Sequence, residues 1–416
     1  MINSLVIKDP KGLALKYLII YSLLYSNLIQ QRIIVVPYML QTISLLVVVI
    51  VIFDKKLSLF WKYISKGFKF QIGFFILILP IGLITSPKFS DHLNQCFQCY
   101  EYIIITLSML YYSITRNSFD FILNSLVLLF LIMCLIFTIS PVMYSGVEGK
   151  AQYSLGYNYN PNTLALNLNL CLWILLFNVS RNKINYVLVI PFIVMLFRSV
   201  ILTGSRKGFI AFLICIALWI ATVYIPLSNK KIFISKILRM IVIIITVSYL
   251  YVMFIPIYLN SRLAFRMRFL SDEAYGGIRN DMYRVAIDLF KRSPIIGHGL
   301  QSFQHYYYGL YSHSTISEVL VSGGLLCGTI YFLSLLYIAK SLFSLENWSK
   351  QNHIYGARIQ ARMGCILLIL MLFYAFGIVH IYSLSSFICL AIITLMYSVP
   401  RSYFEVSEMN IRDFHE

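Results

Sequence analysis

The chain has 416 residues, of which 59% are hydrophobic and 12% charged, with a formal net charge of +18. A soluble globular protein carries about 25% charged residues, so the composition excludes a water-soluble domain and indicates an integral membrane protein. In so apolar a chain the positive charge reads as membrane topology rather than nucleic-acid binding, because cytoplasmic loops collect Lys and Arg.

A bilayer crossing takes about 20 apolar residues. Runs of that kind predict twelve spans, at 13–29, 33–53, 70–86, 96–113, 119–140, 162–179, 185–203, 207–225, 237–258, 315–339, 363–381 and 384–399. The last pair also reads as a re-entrant hairpin. Residues 1–9 lack a basic start with a small-residue cleavage site, so no cleavable signal peptide is expected. The expected fold class is an all-α integral membrane protein, a single polytopic domain over 1–416 with about 12 transmembrane helices.

With the N-terminus inside, the inner loops hold 21 of the 34 basic residues, 14 Lys and 7 Arg. The outer 13 are 4 Lys and 9 Arg. Lysine suffices for topology, whereas the planar arginine fork suits bidentate binding of phosphate. Seven outer basic residues, Arg262, Arg266, Arg268, Arg279, Arg284, Lys291 and Arg292, lie in the one long loop, 259–314. A long loop in a compact protein is usually functional.

In chain order, the first chemical feature is a C-x-x-C at Cys96 and Cys99 with His92 nearby. No second ligand pair accompanies it, and a structural zinc site needs four ligands, so the stronger reading is structural. The other cysteines stand in apolar runs, where a free thiol behaves as a small hydrophobe. "YNYNPNTLALN" (157–167) opens the sixth span; the amides of Asn160 and Asn162 suit sugar hydroxyls or a helix cap. "LTGSRKGF" (202–209) is a short outer turn bearing Arg206, with Arg198 deeper in the preceding span. Ionisable groups at such depth are costly and are usually functional or paired.

In the long loop, "GIRNDMYRVAIDLFKRSP" (277–294) predicts an amphipathic helix stopped by Pro294, with Met282, Val285, Ala286 and Leu289 on one face. Arg284, Asp288 and Arg292, four apart, read as a salt-bridge ladder, with phosphate binding by Arg284 as the functional alternative. Arg279 has no partner at that spacing. "PIIGHGLQSF" lacks the third glycine and the strand of a dinucleotide fingerprint; its glycines allow a tight turn or close approach to a ligand. Tyr306, Tyr307, Tyr308 and Tyr311 suit an interfacial belt, or sugar platforms, Tyr307 being the one selected for substrate.

Three of the seven histidines, His298, His305 and His313, fall within 298–313. Thr315 to Glu318 fits the S/T-x-x-E capping box, which starts the tenth span at Thr315. His313 would then sit beside the positive end of a helix dipole, which disfavours imidazolium and leaves a neutral base. Gly324 and Gly328 have the spacing that permits close helix packing.

The ordered set "TGSRKG", "GIRNDMY", "PIIGHGLQSF" and "HSTISEVLVSGGLLCG" resembles the O-antigen ligase and polymerase family of bacterial surface polysaccharide assembly, over roughly residues 150–335. The resemblance implies a GT-C-like glycosyltransferase of the bacterial inner membrane, with its site on the periplasmic or extracellular face. The substrates it implies are undecaprenyl-diphosphate-linked oligosaccharides as donor and acceptor. By motif, Arg206 and Arg279 match the family's diphosphate-handling arginines and His313 its proposed base. The family usually has Asn after that histidine, where this chain has Ser314. A flippase and a chain-length regulator are expected partners; nucleic acid is not.

Glycosyl transfer needs a base for the acceptor hydroxyl and cations for the departing diphosphate. His313 supplies the first; Arg206 and Arg279, helped by Arg266 and Arg268, supply the second. Asp272 and Glu273 are adjacent and Asp281 stands apart, so metal-independent transfer without a cofactor is expected, with inversion at the sugar as the simplest single-displacement outcome. The leading reading is a polymerase of lipid-linked repeat units, for lipopolysaccharide O-antigen or capsule. A ligase moving the finished glycan to lipid A core or protein is the alternative, and a lipid-linked sugar flippase a third.

Overall fold

A computed structural model describes residues 9–29, 38–147, 150–156, 160–226, 248, 255–256, 258–259, 261–268 and 273–412. Its helices, in chain order, are α1 (Pro10–Leu24), α2 (Met39–Ile52), α3 (Leu57–Tyr63), α4 (Lys66–Thr85), α5 (Phe89–Arg116), α6 (Phe119–Ile139), α7 (Pro161–Ser180), α8 (Tyr186–Leu202) and α9 (Arg206–Trp219). They continue with α10 (Arg262–Arg268), α11 (Glu273–Arg292), α12 (Ser302–Tyr306), α13 (Thr315–Gln351), α14 (Tyr355–Tyr374) and α15 (Leu384–Arg412). Among the described residues, 6 helices are long and apolar enough to cross a bilayer: α4, α6, α7, α9 with its extension to Tyr224, α13 and α14. Three shorter apolar helices are Met39–Ile52, Tyr186–Leu202 and Leu384–Pro400. The ninth expected span, 237–258, falls almost wholly outside the described residues.

The described residues are dominantly helical, as the expected all-α class requires, with one short exception among them. Between α6 and α7 the chain folds into an antiparallel hairpin, β1 (Val142–Val147) with β2 (Lys150–Ser154), Met143 pairing with Tyr153. The last expected pair of spans is also revised. α14 stops at Tyr374, and a turn containing a 3₁₀ segment (His380–Tyr382) leads into α15.

The most enclosed span is α7, with 83% of its apolar window buried. Two of its polar side chains donate inside the bundle: Asn169 Nδ2 to the Gly208 carbonyl (3.0 Å) and to the Tyr374 hydroxyl (2.7 Å), and Trp173 Nε1 to the Met363 carbonyl (2.9 Å). Polar groups at this depth are costly unless so satisfied, and here they lock α7 to α9 and α14. Beyond its C-terminal end, Arg181 is 2.6 Å from Asp120 at the start of α6, while Arg116 at the end of α5 is 2.8 Å from Asp54. Three of the basic segments assigned to the inner side, 54–69, Arg116 and 181–183, therefore gather at that end of α7.

Helix α13 is interrupted at Gly324, whose φ of 58° and ψ of −159° are not helical. The turn 294–299 fills the break. Leu325 N–H donates to the Pro294 carbonyl (2.8 Å) and Leu326 N–H to that of Ile295 (3.0 Å). In return His298 N–H reaches Val321 O (2.9 Å) and Gly299 N–H reaches Ser322 O (2.8 Å). Non-helical backbone within a membrane helix persists only where protein satisfies its polar groups. Gly324 is thus a docking notch rather than half of a helix-packing pair, and a Cβ there would strike the Ile295 backbone.

Candidate active site

At the opposite end of α7 three segments meet. Asn160 caps the helix, its Oδ1 accepting the Asn162 N–H (2.8 Å), and its Nδ2 donates to the Tyr311 hydroxyl (2.8 Å). Tyr311 lies against His313, ring centroids 4.2 Å apart. Two residues on, Asn162 Oδ1 accepts the Ser205 hydroxyl (2.7 Å). Ser205 is the N-cap of α9, accepting the Gly208 N–H (3.1 Å), so Arg206 is the first residue of that helix. The start of α7 therefore ties the arginine turn to the histidine loop. Asn160 takes the capping half of its expected alternatives, while Asn162 braces the arginine turn without capping a helix.

The hairpin and α10 close over the arginine turn. Gln152 Nε2 donates to the Thr203 carbonyl (2.9 Å). Arg206 Nη1 donates to the Arg266 carbonyl (3.2 Å), and Arg266 Nη1 donates to that of Gly204 (3.1 Å). Two guanidinium groups are thereby held together at the N-terminus of α9, where the helix dipole also favours an anion. Arg279 lies in α11 and Arg268 ends α10; the side chains of both are outside the described residues.

The remaining predicted residues lie elsewhere in the loop. The apolar face of α11, Met282, Ala286 and Leu289, packs on Phe303 and Val321, as its periodicity predicts. Tyr307, expected to meet sugar, is half-buried at the margin of that cluster, its ring 5.6 Å from Phe303. Tyr308 is 92% exposed, and Tyr306 is exposed as well. Arg284 has its side chain 80% exposed and approaches Asp281 at 3.9 Å, which corrects the expected pairing with Asp288.

The start of α13 differs from the expected capping box by one residue. The cap is Ser314, whose hydroxyl accepts the Ser317 N–H (3.3 Å). An Asn here could cap in the same way. Thr315 is instead bound to the turn after α14: its N–H donates to Ala375 O (2.8 Å), its hydroxyl donates to Ile378 O (2.7 Å) and accepts the His380 N–H (3.0 Å). Burial, reinforced by the Lys207 ammonium, holds His380 down at about 3. It is therefore neutral under the site, a histidine that sequence reasoning passed over because it sits in an apolar run.

His92 also has a role the sequence did not disclose. Wholly buried, it accepts the Leu300 N–H at Nδ1 (2.9 Å), with Nε2 3.1 Å from the Leu79 carbonyl. Gln95 receives the Gln301 amide (2.5 Å), and Cys99 Sγ lies 3.1 Å from Ile381 O. The His92 and C-x-x-C segment is thus a dock for the turn 297–301. Spacing hinted at metal or redox chemistry; only the fold shows what it holds.

Residues 190–332 match the family described as O-antigen ligase, a stretch that runs from α8 through the break in α13 and contains Arg206, α10, α11 and His313. No curated protein matches the chain. The match over residues 190–332, together with a helical architecture that includes membrane-length spans, supports an O-antigen ligase/polymerase family assignment.

Proposed function

We propose that the protein is a polysaccharide polymerase that joins undecaprenyl-diphosphate-linked repeat units on the extracytoplasmic face of the bacterial inner membrane, with part of the site carried by 259–314. The observation that carries this reading is the bracing of the Arg206 turn and the His313 loop by Asn162 and Asn160 at one end of α7. His313 takes the proton of an acceptor hydroxyl. The oxygen bonds to the anomeric carbon of the donor as the carbon–oxygen bond to the diphosphate breaks, and the diphosphate departs with the electron pair. Arg206 and Arg279, helped by Arg266 and Arg268, offset its charge. One displacement inverts the anomeric centre, and no metal is required of the protein.

The ligase reading has one observation in its favour, the description of the matching family. Donor, base and arginines are common to both readings, so the acceptor separates them. Purified protein in nanodiscs, given only the lipid-linked repeat units extracted from its native membrane, is expected to build a ladder of longer lipid-linked chains in EDTA. Transfer only after lipid A core or protein is added would establish the ligase. Movement of labelled lipid-linked sugar across proteoliposomes with no transfer would establish a flippase.

A further inference from the structure

His313 is held in the left-handed region, with φ of 52°, where non-glycine residues are uncommon and need their surroundings to fix them. The residues on either side of it supply that constraint. Ser312 and Ser314 are each 2% exposed. Ser312 Oγ lies 2.9 Å from the Ser314 carbonyl and 2.7 Å from Glu318 Oε2, which also accepts the Ser312 N–H at 3.3 Å. Glu318 is itself fully enclosed, at 0% exposure. Its other oxygen, Oε1, accepts the Tyr382 hydroxyl at 3.0 Å, and Tyr382 Oη accepts the Gln301 N–H at 2.9 Å.

A buried carboxylate is expensive unless each oxygen has a donor, and this one receives donors from both sides of the site. It joins the histidine loop, the first turn of α13, the turn before α15 and, through Tyr382, the turn 297–301. We infer that Glu318 is the positioning residue of His313, its carboxylate fixing residues 312–314 so that the imidazole is presented in one orientation. This rests on the proposed role of His313 as base. An amide at 318 keeps the size but places an N–H₂ against a hydroxyl or N–H donor, and the loop loses part of its anchor.

The test is a cycle of Glu318→Gln and His313→Ala, using lipid-linked oligosaccharides extracted from the native membrane as substrate, with thermal unfolding in detergent as the fold control. A residue that acts only through His313 costs rate when His313 is present and nothing more when it is absent. Glu318→Gln is expected to lower the rate about 10- to 100-fold, as for a lost charged hydrogen bond, with no further loss in His313→Ala. Wild-type rate in Glu318→Gln overturns the inference. So does an equal loss on both backgrounds, which would mean a general structural effect. If Glu318→Gln does not fold, Tyr382→Phe and Ser312→Ala, each removing one donor and leaving the carboxylate, take its place in the cycle under the same criteria. If His313→Ala itself keeps wild-type rate, the base assignment fails, and the positioning role fails with it.

Discussion

At the scale of single residues, the two halves of the site make different demands on chemistry. Losing a general base costs about 10² to 10⁴ in rate, so His313→Ala is expected to keep only a small residual rate with expression and insertion unchanged. Arg206→Lys keeps the charge but loses the fork, including the N–H that reaches the Arg266 carbonyl. A fall of about 10- to 100-fold is expected for it, and the same for Arg279→Lys. Arg292, exposed in the last turn of α11, serves as the control, and its Ala variant should stay near wild type. Wild-type rates in both lysine variants would reject bidentate diphosphate binding. A loss in Arg292→Ala as large as that of His313→Ala would show that the wrong basic residues had been chosen.

At the scale of elements, the break in α13 is the feature on which the placement of the loop depends. Gly324 combines a left-handed φ with backbone contact from Ile295, and Gly297 (φ 70°) lies so close that a Cβ would be 2.5 Å from the Ser322 carbonyl carbon. Gly324→Ala should therefore lower stability by about 1–3 kcal/mol and expose the amides of His298 and Gly299 to faster hydrogen exchange, since their acceptors lie in α13. Gly73, in α4, has nothing within 4 Å of where a Cβ would stand, so Gly73→Ala should leave both readings unchanged. Slow exchange at 298 and 299 in Gly324→Ala would show that the turn docks without the notch.

At the scale of the whole molecule, α7 separates two chemistries. The ion pairs Arg181–Asp120 and Arg116–Asp54 belong to the loops at its C-terminal end, and Asn160 with Asn162 opens the site at the other. A basic cytoplasmic side then predicts that, in a cysteine-free background, a cysteine at Lys56 reacts with an impermeant reagent only after permeabilisation. One at Tyr307 should react in intact cells or spheroplasts. Labelling of position 307 from the cytoplasm alone would overturn an extracytoplasmic site.

Composition and apolar run length determine a membrane protein without reference to any contact, because the bilayer thickness sets span length. The same reading placed α4, α6, α7, α9, α13 and α14, and the periodicity of α11 named its buried face. The one-dimensional order of motifs also brought Arg206, Arg279 and His313 forward as the candidate residues for the proposed chemistry. Tertiary structure decided which distant segments meet. Asn160 reaches Tyr311 and His92 reaches Leu300 across separations of 151 and 208 residues, which no local pattern encodes. It also moved the cap from Thr315 to Ser314 and turned Gly324 from a packing residue into a notch, because each outcome depends on a partner, the turn after α14 or the turn 294–299, that arrives from elsewhere in the chain. Glu318 shows the difference most fully. As sequence it completes a capping box, whereas in the fold its burial beneath the histidine loop sends its carboxylate to Ser312 and Tyr382.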